Sequence, residues 1–232
     1  MADPNDDRLY FRQLLSGRDF AIGDQMATQM VNFVYAIGDR LTGECVLVDP
    51  AYDPEGLVDT VATDEMTITG VLATHYHADH IGGSIMGYEI AGVAGLLELV
   101  SCPVHVQRDE IPWVTRTSGV TEANLVGHDS GDIVTVGELE IELVHTPGHT
   151  PGSQCFLVHG KLLAGDTLFL DGCGRTDLPG SDHTQMIQSL NRLSKVDDAI
   201  ILYPGHKYSV ASSARMGAVK HSNYVFDQLL GD

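Results

Sequence analysis

The chain has 232 residues, 43% of them hydrophobic and 19% charged, ordinary proportions for a globular protein and enough length for one two-sheet core. Its 32 acidic residues against 13 lysines and arginines give a formal charge of −19, which disfavours nucleic acid and anionic membranes as partners. No stretch approaches the ~20 apolar residues of a membrane span, and the first seven residues are acidic where a secretory signal is basic and then apolar, so a cytoplasmic chain is expected.

In chain order, residues 30–37 and 45–49 read as an early strand pair, and 54–62 as a short helix with Leu57, Val58 and Val61 on one face. A mostly apolar strand is predicted over 67–74, a helix from about 83 to 99, and a short strand over 103–106. Residues 133–136 and 139–144 form a hairpin around Gly137-Glu138; 155–158 and 162–164 pair across His159-Gly160. A helix over 184–193, a strand over 199–203 and a helix over 215–230 close the chain. Hairpins mixed with helical crossovers argue for an α/β (α+β) class with helices on the outer faces of the sheets. No repeat or linker divides the sequence, so one domain over 1–232 is expected. Cys45, Cys102, Cys155 and Cys173 have no framework spacing and read as reduced thiols.

Four ligand-type residues crowd into His75-Tyr76-His77-Ala78-Asp79-His80, directly after the predicted strand 67–74. Imidazole suits zinc and iron, and a carboxylate adds a harder oxygen donor. His75 and His77 lie two apart, so on extended backbone both point to one side. Asp79 and His80 come from the turn that follows and can face a second ion. Three later strands end in the same residue types beside Gly or Pro: His149 in Pro147-Gly148-His149, Asp166 in Gly165-Asp166, and His206 in Pro204-Gly205-His206. Brought to one rim, His75, His77 and His149 make a nitrogen-rich site. Asp79, His80 and His206 make another, and the two oxygens of Asp166 can bridge them.

These motifs resemble those of the metallo-β-lactamase-fold hydrolases, and above all their glyoxalase II (hydroxyacylglutathione hydrolase) and persulfide dioxygenase branch. The likeness runs from about Phe33 to the C-terminus. It is carried by Thr74-His75-Tyr76-His77-Ala78-Asp79-His80, Thr146-Pro147-Gly148-His149-Thr150, Gly165-Asp166-Thr167-Leu168-Phe169, Gly172-Cys173-Gly174-Arg175-Thr176-Asp177 and Pro204-Gly205-His206-Lys207-Tyr208. The histidine motif marks the superfamily; the Gly-Cys-Gly-Arg run narrows it to the branch. The resemblance implies a four-layer αβ/βα sandwich, two divalent metals (zinc, iron or both, manganese being admissible) and a small thiol-derived substrate. It also implies substrate contacts from Arg175, Tyr208 and Lys220, with Arg175 a carboxylate clamp. Two departures bear on the thiol. Asp177 stands where glyoxalase II relatives carry an aromatic residue. The 26 residues after His206 are fewer than the helical domain that completes the glutathione site in full glyoxalase II.

A bound divalent metal lowers the pKa of its water to about 7, and hydroxide attack on a thioester then needs no serine or cysteine nucleophile. Asp79 is expected to orient that hydroxide as well as ligate. The expected activity is thioester hydrolysis. The alternative is a persulfide dioxygenase, in which one Fe(II) on His77, His149 and Asp166 leaves positions open for O₂ and sulfur. Retention of all seven residues weighs against a third reading, a non-catalytic metal-binding protein. Nothing bars assembly into a homo-oligomer. His105, His128, His159, His183 and His221 carry no expected role, and His145 is expected to brace the turn before His149.

Overall fold

Phe33, Tyr35 and Ile37 alternate with Val34 and Ala36, and all five are buried, so their strand is covered on both faces. The structure is a computed structural model that describes residues 8–230, with side chains as far as Asp227. The acidic N-terminal stretch and the last side chains of the predicted closing helix lie outside the described residues.

The chain opens with β1 (Leu9–Leu15), α1 (Gln25–Met30), β2 (Phe33–Asp39) and β3 (Glu44–Val48). Helix α2 (Pro54–Thr63) leads to β4 (Thr67–Leu72), which runs into the four-residue α3 (Ala78–Ile81). A small hairpin, β5 (Gly83–Ile85) and β6 (Tyr88–Ile90), precedes α4 (Val93–Leu99), β7 (Val104–Gln107), α5 (Ile111–Ser118) and β8 (Leu125–His128). These build a six-stranded sheet in the order β1-β2-β3-β4-β7-β8, antiparallel at its start and parallel from β3 onward. The second half supplies β9 (Ile133–Val136), β10 (Leu139–His145), β11 (Gln154–Val158) and β12 (Lys161–Gly165). Helix α6 (His183–Leu193) crosses over to β13 (Ile201–Pro204), parallel to β12, and β14 (Ala214–Arg215), α7 (Met216–Ser222) and α8 (Tyr224–Leu230) finish the chain. That sheet has the order β14-β13-β12-β11-β10-β9.

The inner faces meet in one core, where Phe33, Ile37 and Leu72 pack with Ile141, Leu143, Phe156 and Leu163. Outside the first sheet, Leu57, Val61, Leu96 and Val114 of the helices cover Val34, Ala36, Leu47 and Val71. Outside the second, Met186, Leu190, Val219 and Phe226 cover Leu162, Ala164 and Leu202. Leu162 and Ala164 face out while Leu163 between them faces in, the period of two expected of a strand. The result is the four-layer αβ/βα sandwich that the resemblance implied. No helix among the described residues is long and apolar enough to cross a membrane.

Elements β1, α1, α5 and β8 have no counterpart in the sequence expectation, and three predicted elements differ from it. The strand predicted from residue 30 starts at Phe33, because Met30 ends α1 and Val31 caps it with φ 50°. The helix predicted from about residue 83 is a hairpin first: Gly83 has φ 133° and Gly87 φ 85°, values that forbid a right-handed helix, so α4 starts only at Val93. The closing helix breaks at Asn223, which is extended (φ −84°, ψ 120°). Its buried amide donates to the carbonyls of Phe169 and Gly172 at 3.0 Å and accepts from the Gly172 amide at 2.9 Å. The side chain that interrupts the helix therefore fixes the Gly-Cys-Gly-Arg loop.

Candidate metal centre

All seven ligand-type residues come together at one edge of the sandwich, just beyond the C-terminal ends of β4, β10, β12 and β13. Pro147, Gly165 and Pro204 break the ladder at the ends of β10, β12 and β13, whereas β4 ends at Leu72 with no Gly or Pro beside it. At Gly148 (φ 138°) a Cβ would lie 2.3 Å from the Met186 amide nitrogen, so only glycine lets the His149 turn sit against α6.

His75 Nε2 and His149 Nε2 each lie 3.0 Å from His77 Nδ1. His80 Nε2 lies 3.2 Å from His206 Nε2, and Asp79 Oδ2 lies 3.4 and 3.6 Å from His206 and His80. Donors 2.0–2.1 Å from a tetrahedral ion are about 3.3 Å apart, close to what both triads show. The two triads are the ligand groups His75, His77, His149 and Asp79, His80, His206. Between them lies Asp166, with Oδ2 3.2 Å from His206 and 3.7 Å from His149, and Oδ1 3.4 Å from His80. Among the described residues, Asp166 Oδ1 is the buried side-chain polar atom without a hydrogen-bond partner. A buried carboxylate oxygen left unpaired is costly, and a cation is the partner this position suits. The donor set therefore fits a pair of divalent ions.

Surrounding groups fix which nitrogen of each ring faces inward. His149 Nδ1 meets the Arg175 carbonyl at 2.8 Å and His206 Nδ1 the Met30 carbonyl at 2.7 Å. A carbonyl only accepts, so both rings carry a proton on Nδ1 and turn Nε2 toward the centre. Asp49 does the same for His80 at 2.9 Å. The Thr74 hydroxyl donates to Asp49 at 2.5 Å and thus accepts from His75 Nδ1 at 3.0 Å. Asn32 donates to Asp79 Oδ2 at 3.1 Å and is itself held by the Tyr52 hydroxyl at 3.0 Å.

Burial pushes the His75 imidazole well below its ordinary pKa, and brings His77 down to about 4. Burial pushes His80 the same way, yet Asp166, Asp79 and Asp49 outweigh it and raise His80 to about 10. Burial lifts the Asp166 carboxyl, but His206 and His80 together hold it well below the carboxylate range. The Asp79/His80/His206 side of the centre thus calls for positive charge, which a divalent ion supplies in place of protons.

A buried Glu110 ties the two ligand loops together. Its carboxylate accepts from the Tyr76 amide at 2.8 Å, the Thr150 hydroxyl at 2.7 Å and the Gly152 amide at 2.6 Å. Burial raises its pKa to about 7 against those three hydrogen bonds. Sequence reasoning missed Glu110, Asp49 and Asn32. Asp49 alone left a sign, as a carboxylate closing an apolar run. His145 does brace its turn, bonding the Pro151 carbonyl at 2.9 Å.

Over the centre opens a cavity of about 410 Å³, lined by His77, Asp79, His149, Asp166 and His206 alongside Met30, Phe169 and Tyr208. Tyr208 stacks on His206 with ring centroids 4.8 Å apart and a 5° interplanar angle. Arg175 also lines the cavity, its guanidinium paired with Asp177 through two 2.9 Å bonds. Lys220 is not brought there. On α7 its ammonium bonds the Val196 carbonyl and lies 2.8 Å from Asp198. Cys173 lines the same cavity, and all four cysteines are free thiols.

The family model for the metallo-beta-lactamase superfamily matches residues 27–206. The chain is 31% identical over 202 residues to a hydroxyacylglutathione hydrolase of Aeromonas hydrophila, covering 86% of this chain and 70% of that one. A probable polyketide biosynthesis zinc-dependent hydrolase, PksB, of Bacillus subtilis is 28% identical, over 76% of this chain and 73% of that one. Among solved structures, ETHE1 from Myxococcus xanthus superposes with a TM-score of 0.74 at 29% identity, covering 96% of this chain and 90% of that one.

Proposed function

This chain belongs to the metallo-beta-lactamase superfamily, and on that premise we propose that it is a two-metal hydrolase cleaving the thioester of a low-molecular-weight thiol. The observation that carries the reading is the pair of donor triads joined by Asp166, whose Oδ1 has no other partner. Likeness to the hydroxyacylglutathione hydrolase of Aeromonas hydrophila supports the thioester. His75, His77 and His149 would hold one ion, Asp79, His80 and His206 the other, and Asp166 would bridge. Likeness to the probable zinc-dependent hydrolase PksB of Bacillus subtilis supports zinc.

Held by these residues, divalent ions would supply water acidic enough to attack near neutral pH and would polarise the carbonyl. Asp79, anchored by Asn32, takes a hydrogen bond from the attacking water and turns its lone pair toward the acyl carbon. Met30, Phe169 and Tyr208 line the cavity and shield the acyl group from bulk water. The C–O bond forms first, the tetrahedral centre then breaks its C–S bond, and the thiolate leaves without an acid because thiols ionise near pH 8.5, while the protons of the attacking water pass to solvent.

The second reading, an Fe(II) persulfide dioxygenase, is favoured by Thr176-Asp177 in the loop after Asp166. It uses His77, His149 and Asp166 and leaves the His80 triad without a role. Anaerobic cleavage of S-lactoylglutathione, with two metals per chain and loss of activity in His80→Ala, is the expected result. O₂ uptake with glutathione persulfide, stoichiometric with sulfite and surviving His80→Ala, would transfer the assignment to the dioxygenase.

A further inference from the structure

Beside the metal cavity lies a second one of about 390 Å³, and the two share Cys173 and Tyr224 in their walls. Their linings differ in charge. The first carries four charged groups of both signs, Asp79, Asp166, Asp171 and Arg175, besides its imidazoles. The second has an apolar floor, made by Met186, Ile187 and Leu190 of α6 and Val225 of α8. Met186, Leu190 and Val225 are buried and Ile187 is half-buried. Its polar groups, Thr176 and His183, bond each other at 3.3 Å and satisfy themselves without a ligand.

A polar reacting chamber that adjoins an apolar one suits a molecule with the same division, a reactive carbonyl carrying a hydrocarbon arm. Cys173 offers a small side chain where the chambers meet, and Tyr224, 53% exposed, flanks both. Short hydroxyacyl groups would leave this chamber unused. We propose that the α6–α8 chamber binds the aliphatic arm of the acyl group, so that thioesters of medium-chain or branched aliphatic acids are preferred over those of short hydroxyacids. This rests on the thioesterase reading of the metal centre.

Calorimetric binding of S-alkylglutathiones, from S-methyl to S-octyl, to the metal-loaded protein tests the chamber without requiring hydrolysis. Affinity should rise about threefold to fourfold per methylene, as burial of a CH₂ predicts. Ile187→Trp should flatten the series and leave S-methyl binding unchanged, with Ile187→Asn as a second variant should the tryptophan disturb folding. Affinity independent of chain length, or growing equally in both variants, overturns the proposal. So does a dimer in solution that Ile187→Trp dissolves, which would give the chamber to a second copy. Hydrolysis of acetyl and octanoyl thioesters separates the two readings. Cleavage of both at equal kcat/KM, with a flat binding series, sinks the chamber and keeps the thioesterase. A rising binding series with no thioester cleaved keeps the chamber as an alkyl site and sinks the thioesterase.

Discussion

Asp49 Oδ2 lies 2.9 Å from Nδ1 of His80, and the Thr74 amide at 2.7 Å and hydroxyl at 2.5 Å hold that carboxylate still. One buried acid thus orients His80 directly and His75 through Thr74, a ring from each triad. Carboxylates in this position raise the donor strength of the imidazole and fix its tautomer, and their loss costs about 10–100-fold in metal affinity. Asp49→Asn should therefore weaken metal binding in competition titrations by about that factor, with an unchanged far-UV spectrum. Wild-type affinity in the variant would remove Asp49 from the centre.

His149→Ala and Asp166→Ala should each abolish activity and lower bound metal without unfolding the domain. The side chains occupy the rim and lie outside the three hydrophobic clusters, so their loss leaves the sandwich core intact. Metal analysis beside a far-UV spectrum decides the matter, and full metal content in both variants would end the ligand assignment.

Glu110 offers a different test, because it touches backbone on both ligand loops. In Glu110→Gln an amide NH₂ faces one of three donors that now point at a carboxylate. Leaving such a buried donor unpaired costs about 1–3 kcal/mol, which should appear as a lower denaturation midpoint together with weaker metal binding at the His75/His77/His149 triad. A variant as stable as wild type with intact metal affinity would reduce Glu110 to a bystander.

The seven ligand-type residues were legible because metal chemistry restricts residue type and strand ends restrict position; His75-Tyr76-His77-Ala78-Asp79-His80 needs no tertiary knowledge. Strands β2, β4 and β12 were legible as mostly apolar runs, and β10 by the alternation of Leu139, Ile141 and Leu143 with Glu140 and Glu142. What stayed hidden depends on contacts distant in sequence. Glu110 sits 34 residues from Tyr76 and 42 from Gly152, and no local pattern marks it. Helix α5 is only eight residues long, and four of them, Ile111, Val114, Thr115 and Thr117, are β-branched, which lowers its intrinsic signal. Lys220 was placed by resemblance to relatives, and the structure ties it instead to Asp198.

Away from the centre, the Arg8 guanidinium beside Asp39 holds that carboxyl well below the usual range, despite burial, with help from the Glu138 and Leu41 amides. A depressed pKa means the pair stabilises the fold above the unfolded value of about 3.9 and loses that contribution as pH falls below it. Melting temperatures from pH 6 to 3 should drop less steeply for Asp39→Asn than for wild type below about pH 4. Parallel curves would show that Asp39 carries no share of the acid transition.

Arg175 and Asp177 lead to the last prediction. Their two 2.9 Å bonds engage the guanidinium that would otherwise meet a carboxylate of the substrate. Both side chains are about two-thirds exposed, and pairs of this kind hold by roughly 0–1 kcal/mol. A substrate anion can therefore compete for Arg175 at a cost of up to about fivefold in binding. Asp177→Asn should lower KM for S-lactoylglutathione by up to that factor, and Arg175→Ala should raise it, with kcat little changed in either, because a clamp remote from the scissile bond contributes uniform binding. A neutral thioester of the same acyl group should be indifferent to both substitutions. Equal loss toward the neutral and the anionic substrate would show that Arg175 acts by shaping the loop that accepts His149 Nδ1 through its carbonyl, and not by binding the thiol.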